Sequence, residues 1–220
     1  MAKKKVTKKT AVVKKKWYSI IAPKVFNEVK IGETTLTDPE KAVGRKMSLN
    51  LMSITGEPQK QGINVRLQIK NVSDNVFTTE LLSYKIMQSA MKKMVRRNRE
   101  KIDDSFVVKS KDDKILRIKP IAVTRGKTTN SVCTAIRKYV RAVLANKLSQ
   151  MTYEEFVKEV LGKKVQQELY KSLKKFHPIA VFEIRAFGLL SEREQKNARV
   201  LKPVKVEEKK KEEPEQEAEE

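Results

Sequence analysis

His177 and Cys133 are the only histidine and the only cysteine of the chain, and Asp103-Asp104 and Asp112-Asp113 are its two aspartate pairs. Hydrolytic or metal-assisted chemistry would have to be built from these residues. A general base needs a positioned partner. His177 precedes Pro178 at an expected helix end, where a lone histidine caps or packs. Nothing around Cys133 or His177 supports a Cys-His dyad, and one of each cannot complete a structural zinc site. The aspartate pairs suggest two-metal phosphodiester cleavage. Neighbouring residues on a strand point to opposite faces, however, so each pair offers one ligand per face. Turn and strand-end roles suit them better. The glycines form neither G-x-x-x-x-G-K-[ST] nor G-x-G-x-x-G, so no nucleotide cradle is present. The reading is a non-enzyme without metal or cofactor.

The residues that stand out are cationic. Residues 92–101, KKMVRRNREK, set Lys92, Lys93, Arg96, Arg97, Arg99 and Lys101 against Glu100 alone. Arginine forks match phosphate bidentately, and an ordinary exposed helix would mix signs at i, i+4. TRGKTTN (124–130) places Arg125 and Lys127 around Gly126, in a loop able to approach a backbone closely. Arg137, Lys138 and Arg141 fall on the polar side of a helix over 131–148. At the N-terminus, KKKWYSII (14–21) joins Lys14, Lys15 and Lys16 to Trp17 and Tyr18. The two aromatics are expected to anchor a basic arm, each with an apolar face and a polar tip. For Trp17, packing in the body and stacking on a base are both open.

These groups must be positioned by a chain that is thin in core and rich in charge. Of its 220 residues, 39% are hydrophobic and 35% charged, against ~45–50% and ~25% in average domains. The net charge is +22, and the last 14 residues carry eight acids and three lysines, so the preceding 206 hold +27. Such a field costs self-repulsion unless a polyanion neutralises it, and nucleic acid does so by counterion release. A single cysteine forms no internal disulfide and suits a reducing compartment, here expected to be the cytoplasm. No apolar run reaches the ~18–20 residues of a membrane span. Residues 1–16 hold eight lysines and no acid, which does not resemble a secretory signal.

The expected organisation is a basic arm over 1–16, a single body over 17–206 and a disordered acidic tail over 207–220. Strands are expected at 30–36, 45–53, 64–72, 75–83, 105–110, 114–124 and 178–190, with a hairpin turning at Ser73-Asp74-Asn75. Pro120 marks an edge or break, and Lys111-Asp112-Asp113 a turn. Helices are expected over 85–98, 131–148, 152–162 and about 163–176. Thr152 and Glu155 form a capping-box pattern, and Gly162 a stop. Runs of strands followed by helices indicate α+β, with a largely antiparallel sheet or partly closed barrel. No helix-turn-helix, zinc finger, basic zipper or RNP-type signature is present. Aromatics are 6%, thin for a single-strand stacking platform. What remains is shape and phosphate recognition of structured RNA.

KKWYSIIAPKVFNEVKIGET (15–34) resembles the N-terminal hallmark of the archaeal and eukaryotic small-subunit ribosomal protein family S-three-Ae, also called e-S-one. GRKMSLNLMSITGE (44–57), RRNREKID (96–103), DDKILRI (112–118), SVCTAIRK (131–138) and FHPIAVFEIR (176–185) resemble later family segments in order. The likeness covers roughly residues 15–190 and looks archaeal in length. Asp113 stands where the family often has glycine, and Ile179-Ala180 where a leucine-arginine pair is expected. The resemblance implies a structural protein on the small-subunit platform near the mRNA exit. Its implied partners are rRNA, neighbouring ribosomal proteins and mRNA near the exit site. Two rivals remain at this stage: a free nucleic-acid chaperone or compaction protein, and a metal-dependent nuclease using Asp103 or Asp112.

Overall fold

The alternation of Lys16, Trp17, Tyr18, Ser19, Ile20 and Ile21 favours an extended segment that buries every second side chain. The computed structural model, which describes residues 14–73, 75–196 and 198–201, shows that strand as β1 (Lys16–Ile21). Most of the basic arm and the whole acidic tail lie outside the described residues. The chain divides into two compact units. One holds the chain up to Met94 together with Arg185–Gly188, and the other runs from Val95 to Ile184 and resumes at Leu189.

In the first unit β1 pairs antiparallel with β2 (Lys30–Leu36). A third strand, β3 (Lys46–Asn50), leads into a short helix, α1 (Leu51–Thr55). The expected single strand over 45–53 therefore ends early. Asn50 is the reason: its side chain accepts the Met52 N–H at 2.9 Å, and Gly56 closes the turn at φ 73°, the left-handed conformation glycine adopts without strain. A long hairpin follows, β4 (Ile63–Ser73) and β5 (Val76–Ile86), with Asn75 at φ 68° in its turn. Two register shifts bend it. Tyr18, Ile20, Ala42, Ile69 and Phe77 form a buried cluster, with Tyr18 stacked on Phe77 at 5.1 Å. β5 also pairs parallel with β1. The helix expected over 85–98 is shorter, α2 (Gln88–Met94). Ile86 is consumed by β5, the helix stops at Met94, and Asn98, between Arg97 and Arg99, takes φ 59°, a left-handed conformation that no helix continues through.

In the second unit β6 (Lys101–Asp103) and β7 (Phe106–Lys109) both pair antiparallel with β8 (Ile115–Thr124). Pro120 falls between Ile118, paired to β7, and Ile121, paired to β6. Its missing N–H thus coincides with the change of partner. Helices α3 (Asn130–Gln150), α4 (Tyr153–Leu161) and α5 (Lys164–Leu173) follow. They bury Cys133, Ile136, Val140, Leu144 and Leu148, then Phe156 and Val160, then Val165, Leu169 and Leu173. Each such side chain, fully buried, contributes about 1.5–3 kcal/mol. Strand β9 (Ile179–Leu189), α6 (Glu192–Lys196) and β10 (Val200–Leu201) complete the described chain. Residues 186–188 of β9 pair with Lys85, Tyr84 and Ser83 in the first unit. Parallel ladders join β1 with β5 and β7 with β10. The architecture is α+β and mostly antiparallel, as the order of elements predicts.

The turn expected at Lys111-Asp112-Asp113 is present without glycine. Asp113 takes φ 60°, and its N–H donates to the Ser110 carbonyl at 3.1 Å. Aspartate tolerates this left-handed conformation better than most residues. Asp112 accepts the Tyr153 N–H at 3.0 Å, a carboxylate placed at the positive end of α4. The capping box of Thr152 and Glu155 is formed in both directions. Backbone hydrogen bonds hold Glu155 below the usual carboxylate range, the Thr152 hydroxyl adding to the effect.

Candidate nucleic-acid interface

The segment between α2 and β6 contains Arg96, Arg97, Asn98 and Arg99 on a turn rather than a helix. Arg96 and Arg97 are exposed, and Arg99 is half-buried. The loop after β8 carries Arg125 and Lys127, both exposed. These groups are 26 or more positions apart in sequence, yet the antiparallel β6–β8 ladder brings their ends together, since Lys101 lies opposite Val123. Thr124, fully buried, joins them. Its hydroxyl accepts the Glu100 N–H at 2.9 Å and donates to the Gly126 carbonyl at 2.6 Å, while its own N–H donates to the Glu100 carbonyl at 3.0 Å. Two basic segments that the sequence left separate thus form one patch. Among the described residues no carboxylate pairs with Arg96, Arg97, Arg99, Arg125 or Lys127. Lys101 pairs with Asp103 at 2.5 Å.

The α3 cations divide differently. Lys138 is exposed. Arg141 clamps Asp104 with two bonds, Nε at 2.5 Å and Nη2 at 2.6 Å. The hydrogen bonds from Asp104 raise the Arg141 guanidinium above its already high pKa, against the opposing effect of burial. Arg137 Nε donates to the Asp103 carbonyl at 3.3 Å. Both arginines therefore hold the exit of β6 against α3. Lys147, further along the helix, pairs with Glu159 at 2.9 Å and Glu168 at 2.6 Å. Burial pulls its pKa down, and the two carboxylates more than offset that.

In the first unit Lys14, Lys15 and Lys16 are exposed. Tyr18 is buried, whereas Trp17 is 67% exposed. Packing of Trp17 in the core is thereby ruled out: the strand alternation that buries Tyr18 and Ile20 turns Trp17 to the other face. Lys92 and Lys93 are exposed at the end of α2. The Thr124 junction carries no sequence signal, because a threonine closing a strand is equally common on a surface.

One further group is electrostatically unusual. Burial raises the Glu183 carboxyl above its ordinary pKa, against the opposing pull of Lys163 and a hydrogen bond from Gln166. Lys163 stands 3.8 Å away and is half exposed, so the pair gains little. With the folded pKa raised, this group favours folding most below the ordinary carboxylate pKa of ~4.3, and the contribution is lost as pH rises through the folded value. Glu183→Gln should therefore raise Tm near neutral pH by ~2–4 °C, the shift for about 1 kcal/mol. The gain should shrink below about pH 4, where both side chains are neutral. Calorimetry at the two pH values checks this; a pH-independent difference would show that burial of charge is not the cause.

His177, singled out as capping or packing, donates its backbone N–H to Leu173 at the end of α5. Among the described residues no group of three or more His, Cys, Asp or Glu is placed to hold a metal ion, and no helix is long and apolar enough to cross a membrane.

An α+β body with arginines and lysines gathered on stitched turns has the chemistry of a protein that grips a folded polyanion through its phosphates. Comparison with known proteins makes this specific. The model of the Ribosomal S3Ae family matches residues 2–193, and the chain belongs to that family. It is 36% identical to small ribosomal subunit protein eS1 of Nanoarchaeum equitans over 183 residues, covering 83% of this chain and 92% of that protein. It is 31% identical to the eS1 protein of Saccharolobus islandicus over 80% of this chain and 85% of the relative. For the eS1 protein of Methanobrevibacter smithii the identity is 32%, over 77% and 88%.

Proposed function

We propose that this chain is a structural constituent of the small ribosomal subunit in the cytoplasm, and that it supports translation by binding rRNA rather than by catalysis. The observation that carries the reading is the patch at the β6–β8 end, where Thr124 unites Arg96–Arg99 with Arg125 and Lys127. Membership of the Ribosomal S3Ae family and the relatives named small ribosomal subunit protein eS1 support it. Lys92, Lys93 and Lys138, all exposed, add phosphate contacts. The basic arm up to Lys16 threads between RNA segments, and Trp17 lies at its junction with the body. The site is the platform near the mRNA exit, beside other small-subunit proteins and mRNA.

The test is purification of native small subunits through a high-salt wash, followed by mass spectrometry and subunit reconstruction. The chain should be retained stoichiometrically, with Arg96–Arg99 and Arg125–Lys127 facing rRNA. Absence from washed subunits would sink the assignment. Equal affinity for duplex DNA and rRNA would favour a free nucleic-acid chaperone instead.

A further inference from the structure

Phe176 follows α5 in a turn closed by its own N–H to the Leu173 carbonyl at 3.0 Å. It is 50% exposed, and its ring lies 4.9 Å from that of Tyr139 on α3, with the planes tilted by 51°. Tyr139 is itself only half-buried. Among the described residues Phe176 is the one exposed aromatic of the second unit. A ring left half in water forgoes much of the hydrophobic gain of burial, so its surroundings matter.

Those surroundings are cationic. Lys175 precedes Phe176 and Lys138 precedes Tyr139, and both lysines are exposed. The Lys174 ammonium sits over the Tyr170 ring at 4.5 Å. Pro178, two residues after Phe176, accepts the Arg125 N–H at 3.0 Å, which ties the aromatic turn to the basic loop of Arg125 and Lys127. The carboxylates of the same elements are engaged or covered: Glu168 pairs with Lys147, and Glu183 is mostly buried near Lys163.

We propose that Phe176, backed by Tyr139, is a shelf on which an unpaired base of rRNA stacks, with Arg125, Lys127, Lys138 and Lys175 meeting the flanking phosphates. The proposal rests on the RNA-binding reading and adds a single-stranded element to it. Every base presents a π-face, so such a shelf is tolerant of sequence, and unpaired RNA bases are commonly taken up on aromatic rings. A neighbouring protein's apolar side chain would cover the ring but would leave the four cations without counter-charge. An RNA strand satisfies both.

The test uses the full chain and fluorescence anisotropy with three probes: a short labelled uridine strand, the same strand with abasic residues at its centre, and an rRNA hairpin. Phe176→Ala should weaken binding of the base-bearing strand about tenfold. It should leave the abasic strand and the salt dependence unchanged, because no charge is removed. Phe176→Trp should restore the affinity, and unchanged Tm values confirm that the variants fold. Equal loss on both strands, or none, would overturn the shelf. A wild-type chain that binds the hairpin but neither strand would overturn the shelf and leave RNA binding intact; binding to none of the probes would overturn both. In native small subunits washed free of mRNA, ultraviolet crosslinking should join the Phe176 peptide to rRNA. Attachment only to a neighbouring protein would refute the proposal.

Discussion

Alanine at Arg96, Arg97, Arg99, Arg125 and Lys127 together is expected to lower the slope of log affinity for small-subunit rRNA against log salt by about 4. Each phosphate contact contributes roughly 0.7–0.9 to that slope through counterion release. The five residues lie on two turns held together by Thr124, so they are expected to engage one continuous stretch of backbone. Near physiological salt the same change should cost on the order of 100-fold in affinity, and the deficit should widen as salt is lowered, because the wild type gains affinity faster. Titration of the full-length variant against an rRNA fragment over a range of salt concentrations measures both quantities. Arg96 and Arg97 are exposed and without carboxylate partners among the described residues, so the variant should unfold at the wild-type temperature. An unchanged slope in a folded variant would remove the β6–β8 end from the interface. Single replacement of Lys138, exposed on α3, should lower the slope by a little under one unit, which serves as an internal calibration.

The second large effect is on stability, and it is asymmetric. Arg141→Ala should destabilise the fold by about 2 kcal/mol, and Asp104→Ala by about 1 kcal/mol. The Asp104 side chain is 8% exposed and that of Arg141 43% exposed. Loss of the arginine leaves a carboxylate buried without its cation, the case in which breaking a fully buried pair costs ~3–5 kcal/mol. Partial exposure of Arg141 lets water screen part of that loss, which lowers the figure. Loss of Asp104 instead frees a guanidinium that can turn to solvent. Urea unfolding of both single variants and the double variant gives the two costs and their coupling. Equal single costs would contradict the burial argument. Arg137, which donates to the Asp103 carbonyl, keeps β6 tethered in each case. The same geometry predicts that Arg141→Ala changes rRNA affinity less than Arg96→Ala does, because Arg141 is engaged by Asp104.

How much of this was legible in advance varies by segment. The hairpin of β4 and β5, strand β2, the capping box at Thr152 and the turn before β8 all follow from local rules. A period of two, a threonine three residues before a glutamate, and aspartate or asparagine at a turn each act over a few residues of chain. At 45–53 and 85–98 two signals overlap, and the structure splits each segment between a strand and a helix. Asn50 capped a new helix inside an apparent strand, and Ile86 belonged to a strand although its spacing fitted a helix. Periodicity cannot separate such cases, because both elements bury the same side chains.

The sequence by itself determined that this is a basic α+β protein whose charge suits RNA, since charge, composition and local periodicity are properties of the chain. KKWYSIIAPKVFNEVKIGET was enough to suggest the family to which the chain proves to belong. Only the tertiary structure decided which cations act together. Strand pairing set Arg99 beside Arg125 through Thr124, turned Arg141 onto Asp104, exposed Trp17 while burying Tyr18, and left Phe176 beside Tyr139 at the surface. The reason is physical: whether a charged or aromatic side chain is paired, buried or free depends on partners 24 or more residues away, and no local pattern in the sequence encodes that distance.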